Sequence, residues 1–524
     1  MHNALVLFAE IAETSGRVAA TRSRTAKREF LAAALTAAQP AELGVVVAYL
    51  SGTLRQRRTQ LGWASVPDRP PAGTPTLTVL EVDATFQDVA NEAGPGSSAR
   101  RIELAGALLA RATAPEQRLL RGLIVGEVRQ GALDSLVLDA VASAFGAPTA
   151  AVRRASMLLG STPVAAELLR TGGPDALAAV TLHVGVPIRP MLAASSPDVA
   201  GAIARSGVPA AVDAKLDGIR VQVHRDGDRV RVFTRSLDEI TERVPEIVAA
   251  VRALPVATAV LDGEAVALDP AGRPLPFQVT AARAAERTRG TPASGQAQGV
   301  RLTLFCFDAL HLDGTDLLDE PLSARAAAMR AVLPADLVVP RRQADAPEQI
   351  EDFFHEVIGQ GFEGVVVKRL DAPYSAGRRD AAWIKLKPRH TFDLAVTAAE
   401  WGYGRRTGYL SNLHLAARDP ATGSLVMLGK TFKGLTDQML AWQTEEIQSR
   451  EARRTRSAVF PDPPLVAEIA CDGLQRSTRY PGGVALRFAR VVRYRPDKTV
   501  HEVDTLDTVR ALAPLDTHPP DTPG

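Results

Sequence analysis

The chain has 524 residues, 46% of them hydrophobic and 23% charged, which is the composition of a globular protein with several domains. Because 61 basic residues face 59 acidic ones and the net charge is only +2, bulk positive charge is excluded as the basis of nucleic-acid binding, which would need local arginine patches. No apolar stretch approaches the roughly 18 residues of a membrane span. No signal peptide is recognisable, so we expect a cytoplasmic protein in which Cys306 and Cys471 are free thiols.

Residues 1–190 are predicted to form a helical domain. Apolar side chains recur there at spacings of three and four, and glycine, proline and serine mark the breaks. The predicted helices cover residues 5–12, 26–38, 43–54, 116–126, 133–145 and 150–159. Pro187 and Pro190 end the region and predict a stiff linker to the next domain.

Residues 191–390 are predicted to form a layered domain of strands and helices. The β-branched alternation on either side of Asp226-Gly227-Asp228 predicts a hairpin of residues 219–224 and 229–233. Further strands are predicted at 256–268, 301–310, 364–368 and 382–386, and helices at 241–254, 322–332 and 346–358. The polar stretch 283–299 is predicted to be a surface loop.

Residues 391–512 are predicted to form a small β-barrel such as an OB-fold, because short strands and glycine-rich turns dominate them. The predicted strands cover residues 393–400, 413–418, 425–430, 465–469 and 485–494. Residues 513–524 are rich in proline, aspartate and threonine, and we expect them to be a disordered tail.

Lysine is rare in this chain, and its positions are informative. Only eight of the 61 basic residues are lysines, and seven of them lie beyond residue 200. A GC-rich genome would explain the scarcity but not the positions. An amine can lose its proton and act as a nucleophile, whereas a guanidinium stays protonated. Lys215, in Ala-Lys-Leu-Asp-Gly, is therefore a candidate nucleophile; the alternative is a solvated turn.

Three further strings carry chemistry, each with a plainer alternative. Glu264, after Asp-Gly, suits a ribose hydroxyl or a metal, or belongs to a simple turn. Phe307 lies on a predicted strand and either stacks on a base or fills the core. Lys385 and Lys387 alternate with apolar residues and point to one face, which predicts a polyphosphate between them or a solvated edge strand.

The order of these strings resembles one superfamily closely. Lys-x-Asp-Gly, Asp-Gly-Glu, Phe-Asp, Glu-Gly-Val-Val-Val-Lys and Lys-x-Lys follow one another as in the covalent nucleotidyltransferases, and the chain is identified as a member of the ATP-dependent DNA ligases. Residues 486–498 look like the last ligase motif, in the C-terminal OB domain. Residues 119–131 resemble the core of the helical DNA-binding domain, and 187–193 match the entry into the catalytic domain. The resemblance implies an all-α N-terminal domain, an α/β nucleotidyltransferase (ATP-grasp-like) domain and a C-terminal OB-fold.

The resemblance also implies the reaction. Lys215 attacks the α-phosphorus of ATP to give lysyl-AMP, the AMP passes to the 5′-phosphate of a nick in double-stranded DNA, and the 3′-hydroxyl then seals the strand. ATP and Mg²⁺ are the implied cofactors, and a cytoplasmic monomer acting in replication, repair or recombination is the implied setting. An RNA ligase or capping enzyme shares the five strings but should lack the helical domain and the pattern in 487–498. A non-enzymatic nick-binding scaffold should have lost the catalytic side chains.

Residue roles follow from the same resemblance. Glu264 should hold the ribose and a metal, Glu363 the metal, and Phe307 the adenine. The other implied ATP-binding residues are Asp213, Arg220, Arg235, Arg379, Lys385, Lys387, Arg487, Arg490 and Lys498. Arg121 and Arg129 are the expected DNA contacts; alternatively they pair with Glu116 or Glu127 on the helix surface.

Three positions depart from the ligase pattern. Asp213 replaces a glutamate that often recognises the adenine amino group, and it is one methylene shorter. Ala489 replaces the proline of Arg-Phe-Pro-Arg, and Arg378-Arg379-Asp380 stands where Lys-Arg-Ser is common. None of these changes removes a catalytic group.

Overall fold

The computed structural model of the protein describes residues 5–56, 59–62, 66–128, 130–131, 134–285, 300–375, 379–403 and 406–512, with the backbone alone for 379–381. These residues divide into two compact units, Met1–Lys385 and Leu386–Gly524. Among the described residues, no helix has both the length and the apolar character needed to cross a bilayer. Cys306 and Cys471 are buried free thiols, as predicted.

The first unit begins with a bundle of helices, which confirms the predicted helical region. Its helices are α1 Phe8–Ala20, α2 Arg24–Ala37, α3 Leu43–Leu50, α4 Val79–Asn91, α5 Ser97–Arg111, α6 Ala114–Val125, α7 Asp134–Ala144, α8 Thr149–Leu158 and α9 Thr162–Ala178. Their buried faces form one core that includes Phe8, Leu31, Val46, Phe86 and Leu120. The prediction omitted α4, α5 and α9, and it extended α3 past Gly52, whose φ of 79° ends the helical region.

The segment after α9 is held against the next layer rather than left free. The Ile188 N–H donates to Gln222 Oε1 at 2.8 Å, and Gln222 Nε2 donates back to the Ile188 carbonyl at 3.2 Å. The Gly185 N–H donates to His224 Nδ1 at 2.9 Å. Burial lowers the pKa of His224 to about 3, so its ring stays neutral and can accept this bond.

The rest of the first unit contains two sheets with helices packed against them. Its elements are β1 Leu192–Ser195, α10 Val199–Ser206, β2 Ala210–Lys215, β3 Ile219–Asp226, β4 Arg229–Thr234, α11 Pro245–Arg252, β5 Thr258–Ala267, α12 Phe277–Ala285, β6 Leu302–Leu312, β7 Thr315–Asp316, α13 Leu322–Val332, β8 Arg341–Ala344, α14 Pro347–Gly359, β9 Gly364–Arg369 and β10 Arg379–Leu386. The sheet orders are β1-β10-β9-β2-β8 and β4-β3-β5-β6-β7. The predicted β3–β4 hairpin is confirmed, and Gly227 takes the φ of 56° that its turn requires. Most of the predicted loop 283–299 lies outside the described residues.

The second unit is rich in strands, as predicted. Its elements are β11 His390–Trp401, β12 Leu410–Arg418, β13 Leu425–Thr431, α15 Asp437–Ser449, β14 Glu451–Arg454, β15 Ala458–Pro461, β16 Leu465–Cys471, β17 Gly473–Arg476, β18 Val484–Arg487, β19 Arg490–Tyr494 and α16 Leu506–Arg510. The main sheet runs β13-β12-β11-β15-β14, and β16 pairs with both β11 and β19.

Two details of this unit differ from the prediction. The described strands form an open sheet rather than a closed barrel: β13 and β14 lie at its two ends, and α15 connects them while packing on β12 and β15. The strand predicted at 485–494 is two strands, because Phe488 has a φ of 54°, which breaks the extended backbone. The predicted tail at 513–524 lies outside the described residues.

Candidate active site

Lys215 lies at the end of β2, and its side chain is half-buried. Its carbonyl accepts the Glu363 N–H at 2.8 Å, which joins the end of β2 to the start of β9. The Lys215 ammonium forms an ion pair with the Glu363 carboxylate and donates to the Leu216 carbonyl at 3.3 Å. The side chains of Lys215 and Glu363 are 23% and 14% exposed. The amine is therefore held against a carboxylate at the end of a strand inside the sheet, not in a solvated turn.

Gly218 explains why the string after Lys215 ends in glycine. A Cβ at Gly218 would lie against the Ala265 carbonyl, 2.8 Å from Val266 Cγ2 and 2.9 Å from Glu264 Cγ. Only glycine therefore lets the chain that leaves Lys215 pass directly over β5. This close crossing brings the Lys215 strand end next to Glu264.

Glu264 is a half-buried carboxylate on β5, opposite Arg220 on β3. Burial raises the pKa of Glu264 to about 7; the charges of Lys215 and Arg220 act in the opposite direction, and those of Asp262 and Glu363 add to the rise. The structure thus brings Lys215, Glu264 and Glu363 close enough to interact electrostatically. Three carboxylates, those of Glu264, Glu363 and Asp262, therefore act here beside only two cations, Lys215 and Arg220.

Arg220 is fixed by a buried network that the sequence did not reveal. Its Nε and Nη2 donate to the two oxygens of Asp262 at 3.0 and 2.7 Å, and its Nη1 donates to the Met191 carbonyl at 2.7 Å. The Tyr374 hydroxyl donates to Asp262 at 2.7 Å and accepts the Met191 N–H at 3.0 Å. Asp262 was visible in Asp-Gly-Glu, but no sequence signal pointed to Tyr374.

Phe307 is half-buried on β6 and belongs to an aromatic cluster. It meets Trp383 edge to face, with ring centroids 5.8 Å apart, and Trp383 meets Tyr374 in the same way at 5.9 Å. The Arg220 guanidinium lies 5.3 Å from the Phe307 centroid. The candidate stacking residue is thus next to the arginine expected to bind phosphate or ribose.

Asp213 lies on the same face of β2 as Lys215, but its carboxylate is already engaged. Arg341 donates to both of its oxygens, with Nη2 at 2.8 Å from Oδ2, and Lys368 Nζ lies 2.6 Å from Oδ2. Burial alone would raise the pKa of Asp213, but the charges of Arg341 and Lys368 outweigh it and lower the pKa. Neither cation was among the predicted site residues, although Lys368 ends Glu-Gly-Val-Val-Val-Lys.

The lysine pair of Lys-x-Lys spans the boundary between the two units. Lys385 is half-buried on β10 in the first unit, and its carbonyl accepts the Ser196 N–H at 3.1 Å. Lys387 belongs to the second unit, where its Nζ lies 3.8 Å from the Asp472 carboxylate. The side chain of Arg379, which is also on β10, lies outside what the structure describes.

The remaining predicted nucleotide contacts whose side chains are described belong to both units. Arg235 is exposed just after β4 in the first unit. In the second unit, Arg490 pairs with Asp472 at 3.1 Å and Lys498 pairs with Asp393 at 2.6 Å. The Arg487 guanidinium is 5.9 Å from the Phe488 ring centroid. Within their units, therefore, Arg490 and Lys498 already have carboxylate partners.

Of the two predicted DNA contacts, only Arg121 is described. Its Nη2 donates to the Pro67 carbonyl at 3.2 Å and to Asp68 at 3.0 Å, and its side chain is 24% exposed. Arg121 thus pairs with Asp68 and not with Glu116, which was one of the alternative partners. Glu116 caps α6 instead, where its carboxylate accepts the Thr113 N–H at 2.7 Å. Arg129 lies outside the described residues.

Comparisons with known proteins agree on one family over nearly the whole chain. Residues 190–387 match the model of the ATP dependent DNA ligase domain, 406–498 its C terminal region and 54–142 the DNA ligase N terminus. A "Probable DNA ligase" of Beutenbergia cavernae is 58% identical over 519 residues, covering 97% of this chain and 100% of the relative. Another, from a Nocardioides species, is 55% identical, covering 97% and 99%. A solved structure named "Pmar-Lig_Pre." has a TM-score of 0.64 at 17% identity, covers 93% of this chain and 99% of its own, and supports the fold alone.

Proposed function

Because the chain belongs to the ATP-dependent DNA ligase family, we propose that Lys215 carries the adenylate between ATP and the nick. Family membership gives the overall reaction, the sealing of nicked DNA through an adenylated intermediate. One observation supports the assignment to Lys215: its amine is half-buried against Glu363 and interacts with Glu264.

In the first step, Lys215 Nζ attacks the α-phosphorus of ATP, a nitrogen–phosphorus bond forms, and the bond to pyrophosphate breaks. The attacking amine must be unprotonated, so its ion pair with Glu363 has to open before the attack. In-line displacement at phosphorus depends on positioning and charge neutralisation. We propose that Phe307 stacks on adenine, that Glu264 holds the ribose, and that Arg220 faces the phosphates or the nick.

A magnesium site fits the donors around Lys215. Among the described residues, no three His, Cys, Asp or Glu side chains are grouped to hold a metal ion by themselves. Mg²⁺, however, usually takes only one or two carboxylates and completes its shell with water and substrate phosphates. Glu264 and Glu363 would supply these carboxylates, and bound Mg²⁺ would supply charge neutralisation at the phosphates. The raised pKa of Glu264, to which Glu363 contributes, is consistent with a place for positive charge.

The other assignments remain predictions. Lys385 and Lys387 are proposed to bind the α-phosphate, while Arg487, Arg490 and Lys498 are proposed to orient pyrophosphate. The ion pairs of Arg490 and Lys498 would have to exchange for phosphate oxygens. We also predict that the protein is a cytoplasmic monomer. It should bind nicked duplex DNA through the phosphates, and this binding should therefore depend on salt.

The decisive experiment is self-adenylation. Wild type, Lys215→Arg and Lys430→Arg are incubated with α-labelled ATP and Mg²⁺ and separated on a denaturing gel. Lys430 is a matched control because it is also half-buried and ion-paired, in its case with Glu400. We expect label on wild type and Lys430→Arg, and none on Lys215→Arg. Label that persists on Lys215→Arg would refute the nucleophile assignment. The same assay with GTP and NAD⁺ in place of ATP tests the nucleotide. A comparison of nicked DNA with nicked RNA then tests the nucleic-acid substrate.

A further inference from the structure

The sheet that carries Lys215 also holds a buried ionic cluster, Asp213, Arg341 and Lys368, that the proposed chemistry does not use. The three side chains are 2%, 7% and 2% exposed. Asp213 accepts from Arg341 through both oxygens, and Lys368 Nζ lies 2.6 Å from Oδ2. Buried charges are expensive to desolvate, and an apolar core usually serves stability as well. The cluster therefore calls for a reason other than stability.

Its position in the sheet connects the cluster to Lys215. β2 lies between β8 and β9, and Asp213 is directly opposite Arg341 on β8. Lys368 on β9 is opposite Ala211, two residues from Asp213. Because alternate residues of a strand share a face, the cluster is on the face that also presents Lys215.

Both cations also hold Phe307. Arg341 Nη2 donates to the Phe307 carbonyl at 2.7 Å, and Lys368 Nζ donates to it at 3.5 Å. The Lys368 ammonium lies 4.6 Å from the centroid of the Phe307 ring and 4.0 Å from that of Trp383. The ammonium therefore contacts the faces of two rings that meet each other edge to face, which fixes their mutual angle.

The charges of the cluster do not balance. Asp213 faces two cations, and Asp308 also acts on both of them. Because Asp308 is itself paired with Arg325, the group still carries a net charge of about +1, which the two aromatic faces partly offset. Burial and the charge of Arg341 lower the pKa of Lys368 more than the charges of Asp213 and Asp308 raise it. Arg341 Nη1 is buried and has no hydrogen-bond partner within the described part of the chain. Such incomplete compensation is tolerated where geometry matters more than stability.

We propose that Lys368 and Arg341 are positioning residues that fix Phe307 for stacking on the adenine of ATP. Asp213 acts through these two residues, because its carboxylate holds both cations in place beside Phe307. This inference rests on the proposed function, since it assigns to Phe307 the stacking role given above. It predicts that removing the Lys368 charge weakens ATP binding and leaves the chemistry at Lys215 intact.

The test is the ATP dependence of self-adenylation in Lys368→Met. Methionine has a similar length, and the Asp213–Arg341 pair that remains is neutral. We expect KM for ATP to rise about tenfold, because a desolvated cation–π contact is lost. The maximal rate should stay within about twofold of wild type. A purely structural role would lower the active fraction and the maximal rate but leave KM unchanged. Lys430→Met is the control and should keep the wild-type KM.

Two further variants make the outcome decisive. Lys368→Gln can still donate to Asp213 but carries no charge, so it should also raise KM; it replaces the methionine variant if that one does not fold. In a Phe307→Leu background, Lys368→Met should add little to the rise in KM, because the ring it positions is gone. Wild type that takes no label from ATP would overturn the proposed function. Wild type that is labelled, beside Lys368 variants with unchanged KM, would overturn this inference alone.

Discussion

Replacing Glu264 by glutamine should make the stability of the protein less sensitive to pH. Burial raises the pKa of Glu264 to about 7 from an ordinary value of 4.5. A carboxyl whose pKa is raised in the folded state is protonated there while it is already ionised in the unfolded chain. Between these two pKa values the folded state binds more protons, so wild type loses stability as pH rises from about 4.5 to 7.

A pKa that rises from 4.5 to about 7 corresponds to about 3 kcal/mol, and this is an upper limit because the half-buried side chain is partly screened by solvent. Glu264→Gln keeps the shape and cannot ionise. Its stability advantage over wild type should therefore be small near pH 5 and grow by about 1 to 3 kcal/mol towards pH 8. In a unit of this length, that change appears as a few degrees in the unfolding midpoint.

The measurement is scanning calorimetry of wild type and Glu264→Gln at several pH values, with EDTA present so that no divalent cation screens the carboxylates. The midpoint of the unit that contains Glu264 is compared between the two proteins at each pH. A difference that stays constant from about pH 5 to 8 would show that Glu264 is not buried as described. With Mg²⁺ present, self-adenylation of Glu264→Gln should fall sharply, because the proposed contacts of Glu264 with the ribose and the metal are lost.

Two other substitutions test the packing around the site. Gly218→Ala would place a methyl carbon 2.9 Å from Glu264 Cγ, so it should destabilise the unit by about 1–3 kcal/mol and reduce self-adenylation, whereas Gly16→Ala, which meets open space, should do neither. Tyr374→Phe removes a hydroxyl that donates to a buried carboxylate at 2.7 Å and should lower stability by about 1–3 kcal/mol. Tyr403→Phe, at a residue that is 84% exposed, should leave the unfolding midpoint unchanged.

Local patterns predicted several of the strands that carry the chemistry, among them β5, β6, β9 and β10. The β3–β4 hairpin followed from alternation on both sides of a turn, and its geometry depends only on neighbouring residues. The helix α4 has an equally local signature, the capping box of Thr78 and Glu81 followed by Val82 and Phe86 at helical spacing. Its omission from the prediction was avoidable. The break at Phe488 could not be predicted, because no sequence pattern indicates a positive φ at phenylalanine.

Partners across the sheets could not be predicted. Arg341 binds Asp213 from 128 positions away, and the order of the strands that brings them together is not written in either segment. Asp213 was expected among the ATP-binding residues, and its oxygens face Arg341 and Lys368, two cations that were not among the predicted site residues. A motif thus specifies which side chains are present at a site, whereas the sheet order determines which of them are already engaged.

The lysine pattern has a broader physical basis than nucleophilicity. Lys27 is buried and donates to the carbonyls of Gln130 at 2.9 Å and Gly131 at 3.1 Å. Lys368 sits between a carboxylate and two ring faces. An ammonium is compact and donates in three directions, which a planar guanidinium cannot do in the same space. In a chain rich in arginine, the remaining lysines therefore include compact buried cations as well as the candidate nucleophile.

The balance of charge around each amine separates these roles. Lys430 and Lys215 both pair with a glutamate, but their surroundings differ. At Glu400, burial acts to raise the pKa, yet bonds from Lys430, His414 and Asn412 outweigh it and lower the pKa to about 2. The pKa of Glu264 near Lys215 is instead raised to about 7, because burial and neighbouring carboxylates outweigh the cations. Lys430 thus belongs to a satisfied ion pair, whereas the carboxylates around Lys215 still have capacity for positive charge, as the proposed magnesium site would require.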